Sequence, residues 1–388
     1  MRVRLAAVVA VGLALAAVAA LTLVRGDDAS AEERPELQRL LDPLVGGEGR
    51  AAPGATAYVS GPRGTWLGAA GLANVRTREP MRPDARMRLE SVSKLWTATV
   101  VLRLVADGRL GLDDTVESVL PGLLPDGRRI TVRHLLDHTS GLVDNNDFSR
   151  DPLGYLARVQ DPALKAELEA AATEFEASSE YEFPAALTIR FAAALPLLAE
   201  PGTGYHYSNI GYMVAGRIAE RVAGVPLARL IDREIVRPLE LETAAYDPRS
   251  RISGPHARGY GLGLGGALTE RTGEVADLDA NGGIVSSAAD EGRFLTALMS
   301  GKLLGPAELA ALKTPSPHSP YGLGTGIADS GCAGTAYVHG GAGAAFTTSV
   351  IVSGDGARVA VLLLNGRTPD GYSDELARDV VRRLFCAA

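Results

Sequence analysis

Two hairpin signals sit some 290 residues apart, and they constrain the fold more than any other feature. Near the start, Ala55 to Val59 and Thr65 to Ala69 flank the turn-rich tetrapeptide Gly61-Pro62-Arg63-Gly64. Near the end, Thr348 to Val352 and Arg358 to Leu364 flank Gly354-Asp355-Gly356. A closing helix runs from Ser373, read as its N-cap, through Phe385, with Leu376, Val380 and Leu384 recurring on one face. An opening helix carries Leu37, Leu40, Leu41 and Leu44 at helical spacing. Helical patterns fill the interval between the hairpins. The expected fold is therefore α/β (α+β): an antiparallel sheet built from both chain ends, flanked by helices, with an all-helical subdomain inserted at about residues 110–300. Residues 147–200 read as variable helical structure beside a cleft.

The first 31 residues stand apart. Arg2 and Arg4 precede an apolar or small-residue run from Leu5 to Val24, and Ala29-Ser30-Ala31 matches a cleavage site. The pattern predicts a signal peptide over 1–31 and a secreted or extracytoplasmic domain over 32–388. An uncleaved membrane anchor is the alternative, because 20 apolar residues can span a bilayer. The charge balance, 46 acidic against 39 basic residues, lacks the basic footprint of a nucleic-acid binder. Cys332 and Cys386 are the two cysteines. An oxidising compartment permits a bridge between them, but spacing alone leaves paired and unpaired thiols equally open.

Lysine is scarce, which draws attention to Lys94. Arg88-Leu89-Glu90-Ser91-Val92-Ser93-Lys94 opens a helical pattern that Gly108 ends, so Ser91 and Lys94 share one helix face at i and i+3. A serine hydroxyl attacks poorly until a neighbour takes its proton. A lysine depressed by burial can do that, and S-x-x-K is a signature of serine acyl transfer. Taken alone, the pattern also fits a serine cap followed by a solvated lysine. Ser93 is the rival nucleophile, yet it adjoins Lys94, where side chains diverge.

Two later segments complete the reading. Tyr207-Ser208-Asn209 follows the turn Pro201-Gly202-Thr203-Gly204. Its phenol, lowered beside a lysine, would relay a proton, and its amide would hold a substrate carbonyl or the lysine. His339-Gly340-Gly341-Ala342 precedes the late strand, where glycines let a substrate approach the strand edge. A backbone N–H of this segment would pair with that of Ser91 as an oxyanion hole.

In this order the three segments resemble the serine β-lactamase-like and penicillin-binding-protein family. The likeness is closest to actinobacterial D-alanyl-D-alanine carboxypeptidases and class C β-lactamases. Ile130 to Leu142, Gly282 to Ser287 and Tyr321 to Gly324 extend it, so that it spans about Leu37 to Phe385. The resemblance implies a β-lactamase/transpeptidase-like fold, Ser91 as nucleophile, and Lys94 and Tyr207 as base and relay. It implies Asn209, His339, Gly340 and Gly341 as substrate ligands and the backbone N–H groups of Ser91 and Ala342 as oxyanion donors, with no cofactor and no metal. It also implies a Cys332–Cys386 disulfide. The substrates it implies are small peptide-like amides, esters or β-lactams, with peptidoglycan as a natural source; membrane contact would come only through a retained leader. D-Ala-D-Ala carboxypeptidase is the leading expectation. Esterase, D-amino-acid amidase, β-lactamase and a non-turnover penicillin sensor are the alternatives.

Two departures bear on substrate. Gly340 and Ala342 stand where carboxypeptidase relatives carry hydroxyl residues, and residues 324–329 lack the arginine that grips a substrate carboxylate. Other chemistries find little support. His134 and His138 are i and i+4 without the H-E-x-x-H glutamate, and no serine lies in G-x-S-x-G. Gly261 to Gly266 contains G-x-G-x-x-G but reads as a loop.

Overall fold

The computed structural model describes residues 34–45, 52–177, 184–249, 251–262, 267–273, 279–368 and 371–388. The leader expected at 1–31 lies outside them. Among the described residues, no helix is long and apolar enough to cross a membrane.

Both hairpins form. Strands β1 (Gly54–Gly61) and β2 (Gly64–Asn74) pair antiparallel, with Gly61 opposite Gly64. The edge strand β3 (Glu79–Pro80) follows. At the other end come β4 (Gly326–Asp329), β5 (Thr335–Ala342), β6 (Thr347–Ser353) and β7 (Val359–Leu364). The sheet order is β3-β2-β1-β7-β6-β5-β4, so the two ends meet where β1 pairs with β7, Ala55 opposite Leu364.

Every residue of β7 is buried, because helices cover both faces of the sheet. Helices α1 (Ser93–Ala106) and α2 (Asn209–Ala223) pack on each other, while α3 (Ala288–Met299) and α4 (Tyr372–Ala387) lie against the sheet. Side chains alternate across a strand, and β7 divides accordingly. Ala360, Leu362 and Leu364 join the core beneath α4, with Val380, Leu384 and Phe385. Val359, Val361 and Leu363 join the larger core, with Phe294 and Leu298 of α3. The closing helix differs in one detail from expectation: Gly371, with φ +75°, is its N-cap, and the Ser373 hydroxyl instead accepts from Thr368 N at 3.1 Å.

Helix α1 is buried nearly all round, from Ser93 through Leu102, as a central helix must be. Helix α2 packs beside it. Its N-cap is Ser208, whose hydroxyl accepts from Gly211 N, and it ends at Gly224 with φ +74°. Among the described residues, the region expected to be all helical also carries four short strands. Ile284–Ser286 pairs with Met87–Arg88 and with Ala245–Tyr246. Tyr260–Leu262 pairs with Leu268–Glu270, and residues 263–266 of the glycine-rich run, read as a loop, lie outside the described residues. Cys332 and Cys386 are bridged, tying the end of α4 to the turn between β4 and β5.

Candidate active site

The nucleophile turn is held from two sides. Leu89 N donates to Ile284 O at 2.9 Å, and Ile284 N donates to the Ser93 hydroxyl at 3.0 Å. Ser93, 1% exposed, is thereby a structural residue. Glu90 precedes Ser91 in the left-handed region, with φ +52°. A non-glycine residue there costs about 1–3 kcal/mol and persists only where the surroundings enforce it. Ser91 sits in the short 3-10 turn Glu90–Val92 ahead of α1, where helix N–H groups lack intrahelical partners.

Lys94, wholly buried, reaches three oxygens from Nζ: Ser91 Oγ at 3.0 Å, Asn209 Oδ1 at 2.6 Å and Asn281 O at 3.0 Å. Two of these are carbonyl oxygens, which only accept. They fix two N–H directions, so the third tetrahedral position faces Ser91. It holds a proton in the ammonium and a lone pair in the neutral amine. Burial pulls the Lys94 pKa down to about 7, against the opposing charges of Asp144 and Glu90. A lone pair aimed at Ser91 is thus accessible at neutral pH.

The Tyr207 hydroxyl donates to Ser91 Oγ at 2.9 Å. Beside a lysine in the motif, this phenol is expected to titrate low. The structure reverses that: burial pushes it above the ordinary phenol range. Tyr207 is therefore a neutral hydroxyl, suited to giving a proton. Its ring lies 4.3 Å from that of His138. His138 Nδ1 accepts from Ser208 N at 3.2 Å, which fixes the start of α2. His134 caps its own helix through Thr131.

Asn209 serves the lysine rather than an open substrate position. Its Oδ1 holds Lys94, its Nδ2 donates to Asn145 at 3.0 Å, and its backbone N donates to Asp144 at 2.8 Å. Asp144, Asn145 and Asn281 were not singled out from sequence. The available signals were a capping pattern, Asp144 with Asp147 three residues on, and the position of Asn281 next to Gly282-Gly283.

The strand β5 forms the opposite wall. A Cβ on Gly341 would lie 2.2 Å from Leu89 O and 3.1 Å from Ser91 N, so only glycine lets β5 pack this closely on the nucleophile turn. Gly343 N donates to Phe346 O. Antiparallel ladders alternate, so the N–H groups of Gly340 and Ala342 turn away from β6. Strand β4 pairs with β5 only as far as Val338. Among the described residues the β5 edge from Gly340 to Ala342 is unpaired, with Ala342 N–H directed outward as an oxyanion donor requires. His339 is 8% exposed and offers no charge. Its Nδ1 lies 2.8 Å from Gly340 O, an acceptor, so Nδ1 carries the proton and Nε2 accepts from the Tyr321 hydroxyl at 2.9 Å. Burial and the nearby Lys94 lower its pKa to about 4.

A serine touched by a buried lysine and a neutral phenol, beside an open strand edge, is the arrangement that serine acyl transfer calls for. The chain belongs to the Beta-lactamase family, whose sequence model matches residues 37–383; it is thus a member of a family of serine hydrolases. It is 34% identical over 189 residues to esterase EstB of Burkholderia gladioli, covering 46% of this chain and 43% of the esterase. It is 26% identical over 335 residues to penicillin-binding protein 4* of Bacillus subtilis (strain 168), covering 81% of this chain and 68% of that protein. Among solved structures, a D-stereospecific amidohydrolase from Streptomyces sp. superposes with a TM-score of 0.74 at 29% identity, over 91% of this chain and 99% of that one. The D-amino acid amidase of Ochrobactrum anthropi SV3 gives 0.73 at 25% identity, over 90% and 96%.

Proposed function

We propose that this protein is an exported amide and ester hydrolase that works through an acyl-enzyme on Ser91. One observation carries the reading: Ser91 Oγ lies 3.0 Å from the Lys94 amine and 2.9 Å from the Tyr207 hydroxyl. Neutral Lys94 takes the Ser91 proton as Oγ bonds to the substrate carbonyl carbon. The carbonyl electron pair moves onto oxygen, where the N–H groups of Ser91 and Ala342 receive it. The bond to the leaving nitrogen or oxygen then breaks as Tyr207 gives it a proton, and the Lys94 ammonium restores the phenol. Water, losing a proton to the same lysine, then adds to the acyl carbonyl, and the ester bond breaks as that proton passes to Ser91 Oγ.

Substrates without a terminal carboxylate fit best. A D-alanyl-D-alanine carboxypeptidase needs a cation or hydroxyls for that carboxylate. His339 is neutral and bonded to Tyr321, while Gly340 and Ala342 have no hydroxyl. Relatives with names such as D-aminopeptidase and D-amino acid amidase support the same ranking. The leader pattern supports export.

The test is intact mass after exposure to a fluorescent penicillin, with a turnover panel beside it. An adduct is expected, and it should vanish in Ser91→Ala. Labelling that survives this substitution overturns the assignment. In the panel, a D-amino-acid amide and a p-nitrophenyl ester should turn over faster than a D-Ala-D-Ala tripeptide.

A further inference from the structure

Glu90 is a buried charged group that the acylation chemistry leaves unused. It is 5% exposed and directly precedes the nucleophile. Its carboxyl lies against Gly343: a Cβ built there would sit 2.4 to 2.5 Å from its Cδ, Oε1 and Oε2. Among the described residues, this carboxyl has no hydrogen-bond partner and no ion pair within contact distance. Three cations face it at longer range: Arg88 from Met87–Arg88, Arg367 from Gly366–Arg367, and Lys94 from α1. Each has hydrogen bonds elsewhere, although among the described residues Arg367 Nε is buried without a partner. Arg88 donates to the carbonyls of Asp247 and Arg249, Arg367 donates to Gly343 O and faces Asp374, and Lys94 serves Ser91, Asn209 and Asn281. Glu291 Oε1, elsewhere in the core, is also unbonded but is sealed from solvent; neither Glu90 oxygen is sealed in that way.

The direction of the substrate follows from the proton donor. Tyr207 protonates the leaving group, so the leaving half lies on the Tyr207 side. That side continues through His138 to Tyr321, whose hydroxyl meets His339. The acyl half must then run the other way along β5, past Ala342 toward Gly343, where the Glu90 carboxyl waits. An α-nitrogen sits about 2.5 Å from its carbonyl carbon, and successive Cα atoms lie about 3.8 Å apart. A carbonyl held at Ala342 therefore places its α-substituent beside Gly343.

We propose that Glu90 receives the free α-ammonium group of the acyl half, so that the enzyme acts on amides or esters of unblocked amino acids in preference to N-acylated ones. The inference rests on the acyl-enzyme reading above and names its substrate class. Burial raises the Glu90 pKa to about 7 despite the three cations, and an arriving ammonium restores the charge by direct pairing.

The experiment compares alanine p-nitroanilide with N-acetyl-alanine p-nitroanilide, each as both enantiomers, in the wild type and in Glu90→Gln. The readout is the ratio of kcat/KM between the free and acetylated forms. A charge-assisted contact predicts a ratio of roughly ten to a hundred for the preferred enantiomer in the wild type, falling toward one in the variant. A purely structural Glu90 would slow both substrates by the same factor, and that result overturns the proposal. A wild-type ratio of one or below overturns it even when the variant does not fold. If p-nitrophenyl butyrate also stays intact and Ser91 takes no penicillin adduct, the acyl-enzyme reading fails first, and the subsite falls with it.

Discussion

Asp144→Asn should move the acid limb of the pH–rate profile by a calculable amount. In the proposed mechanism Lys94 works as the neutral amine, so kcat/KM rises as it deprotonates through about 7 and levels off above. Asp144 opposes that deprotonation through its negative charge. The path between the charges runs through one amide: 2.6 Å from Nζ to Asn209 Oδ1, and 3.4 Å from Asn209 Nδ2 to Asp144. An amide adds about 2.3 Å between its oxygen and nitrogen, so the charges are about 7–8 Å apart. At an effective dielectric of about 20 they interact by roughly 2 kcal/mol, or about 1.6 pKa units. Removing the charge withdraws stabilisation from the ammonium, so the Lys94 pKa falls and the limb moves to lower pH by about one to two units. Hydrolysis of p-nitrophenyl butyrate from pH 4.5 to 9 measures this, with a circular-dichroism melt to show that the variant is folded. A limb that stays in place or moves up, in a folded variant, refutes the assignment of Lys94 as the base.

Gly341→Ala should drive β5 off the nucleophile turn, since its Cβ would meet Leu89 O at 2.2 Å; loss of an aligned oxyanion donor predicts a fall of about a hundredfold or more in kcat/KM in protein that still melts cooperatively. Glu291, held by Trp96 Nε1 at 3.0 Å, has its pKa raised to about 8 by burial. The unfolded chain ionises this group above about 4.5 while the folded chain keeps it protonated, so its contribution to stability declines between about pH 4.5 and 8. The melting temperature of Glu291→Gln should accordingly gain on the wild type as pH rises from 5 to 8, and a constant gap would refute this. The Cys332–Cys386 bridge closes a separation of 54 residues, worth about 4 kcal/mol in the chain-entropy account. Its removal in Cys332→Ser/Cys386→Ser should lower the denaturant midpoint, and an Ellman assay on denatured, unreduced wild type should find no free thiol.

What the sequence disclosed was local or periodic. The hairpins announced themselves because Gly61 to Gly64 and Gly354 to Gly356 punctuate β-rich runs. Ser91 and Lys94 were legible because one helical turn separates them. Of the partners of Lys94, Asn209 reads from sequence as holding either a substrate carbonyl or the lysine, whereas Asn281 was not legible because it comes from 187 residues away. The behaviour of Tyr207 was misread because proximity to a cation is visible in a motif, whereas desolvation depends on what the fold lays over the ring. Ser373 looked like a cap by residue type, but Gly371 could supply the positive φ that the chain needs there. Glu90 carried no distinct signal, because Arg86 and Arg88 already make the approach to the serine charged. Its backbone strain and its unpaired carboxyl belong to three dimensions only.

The join between β1 and β7 also sets a timetable. Ala55 pairs with Leu364, 309 positions later. At synthesis rates of about 5–20 residues per second, the first hairpin waits roughly 15–60 s for its neighbour. Through that interval β1 presents an unpaired apolar edge, the kind of template that invites aggregation. No central sheet exists until the last strand arrives, so the chain leaves the ribosome as an unfinished molecule and completes its sheet in one late, long-range closure.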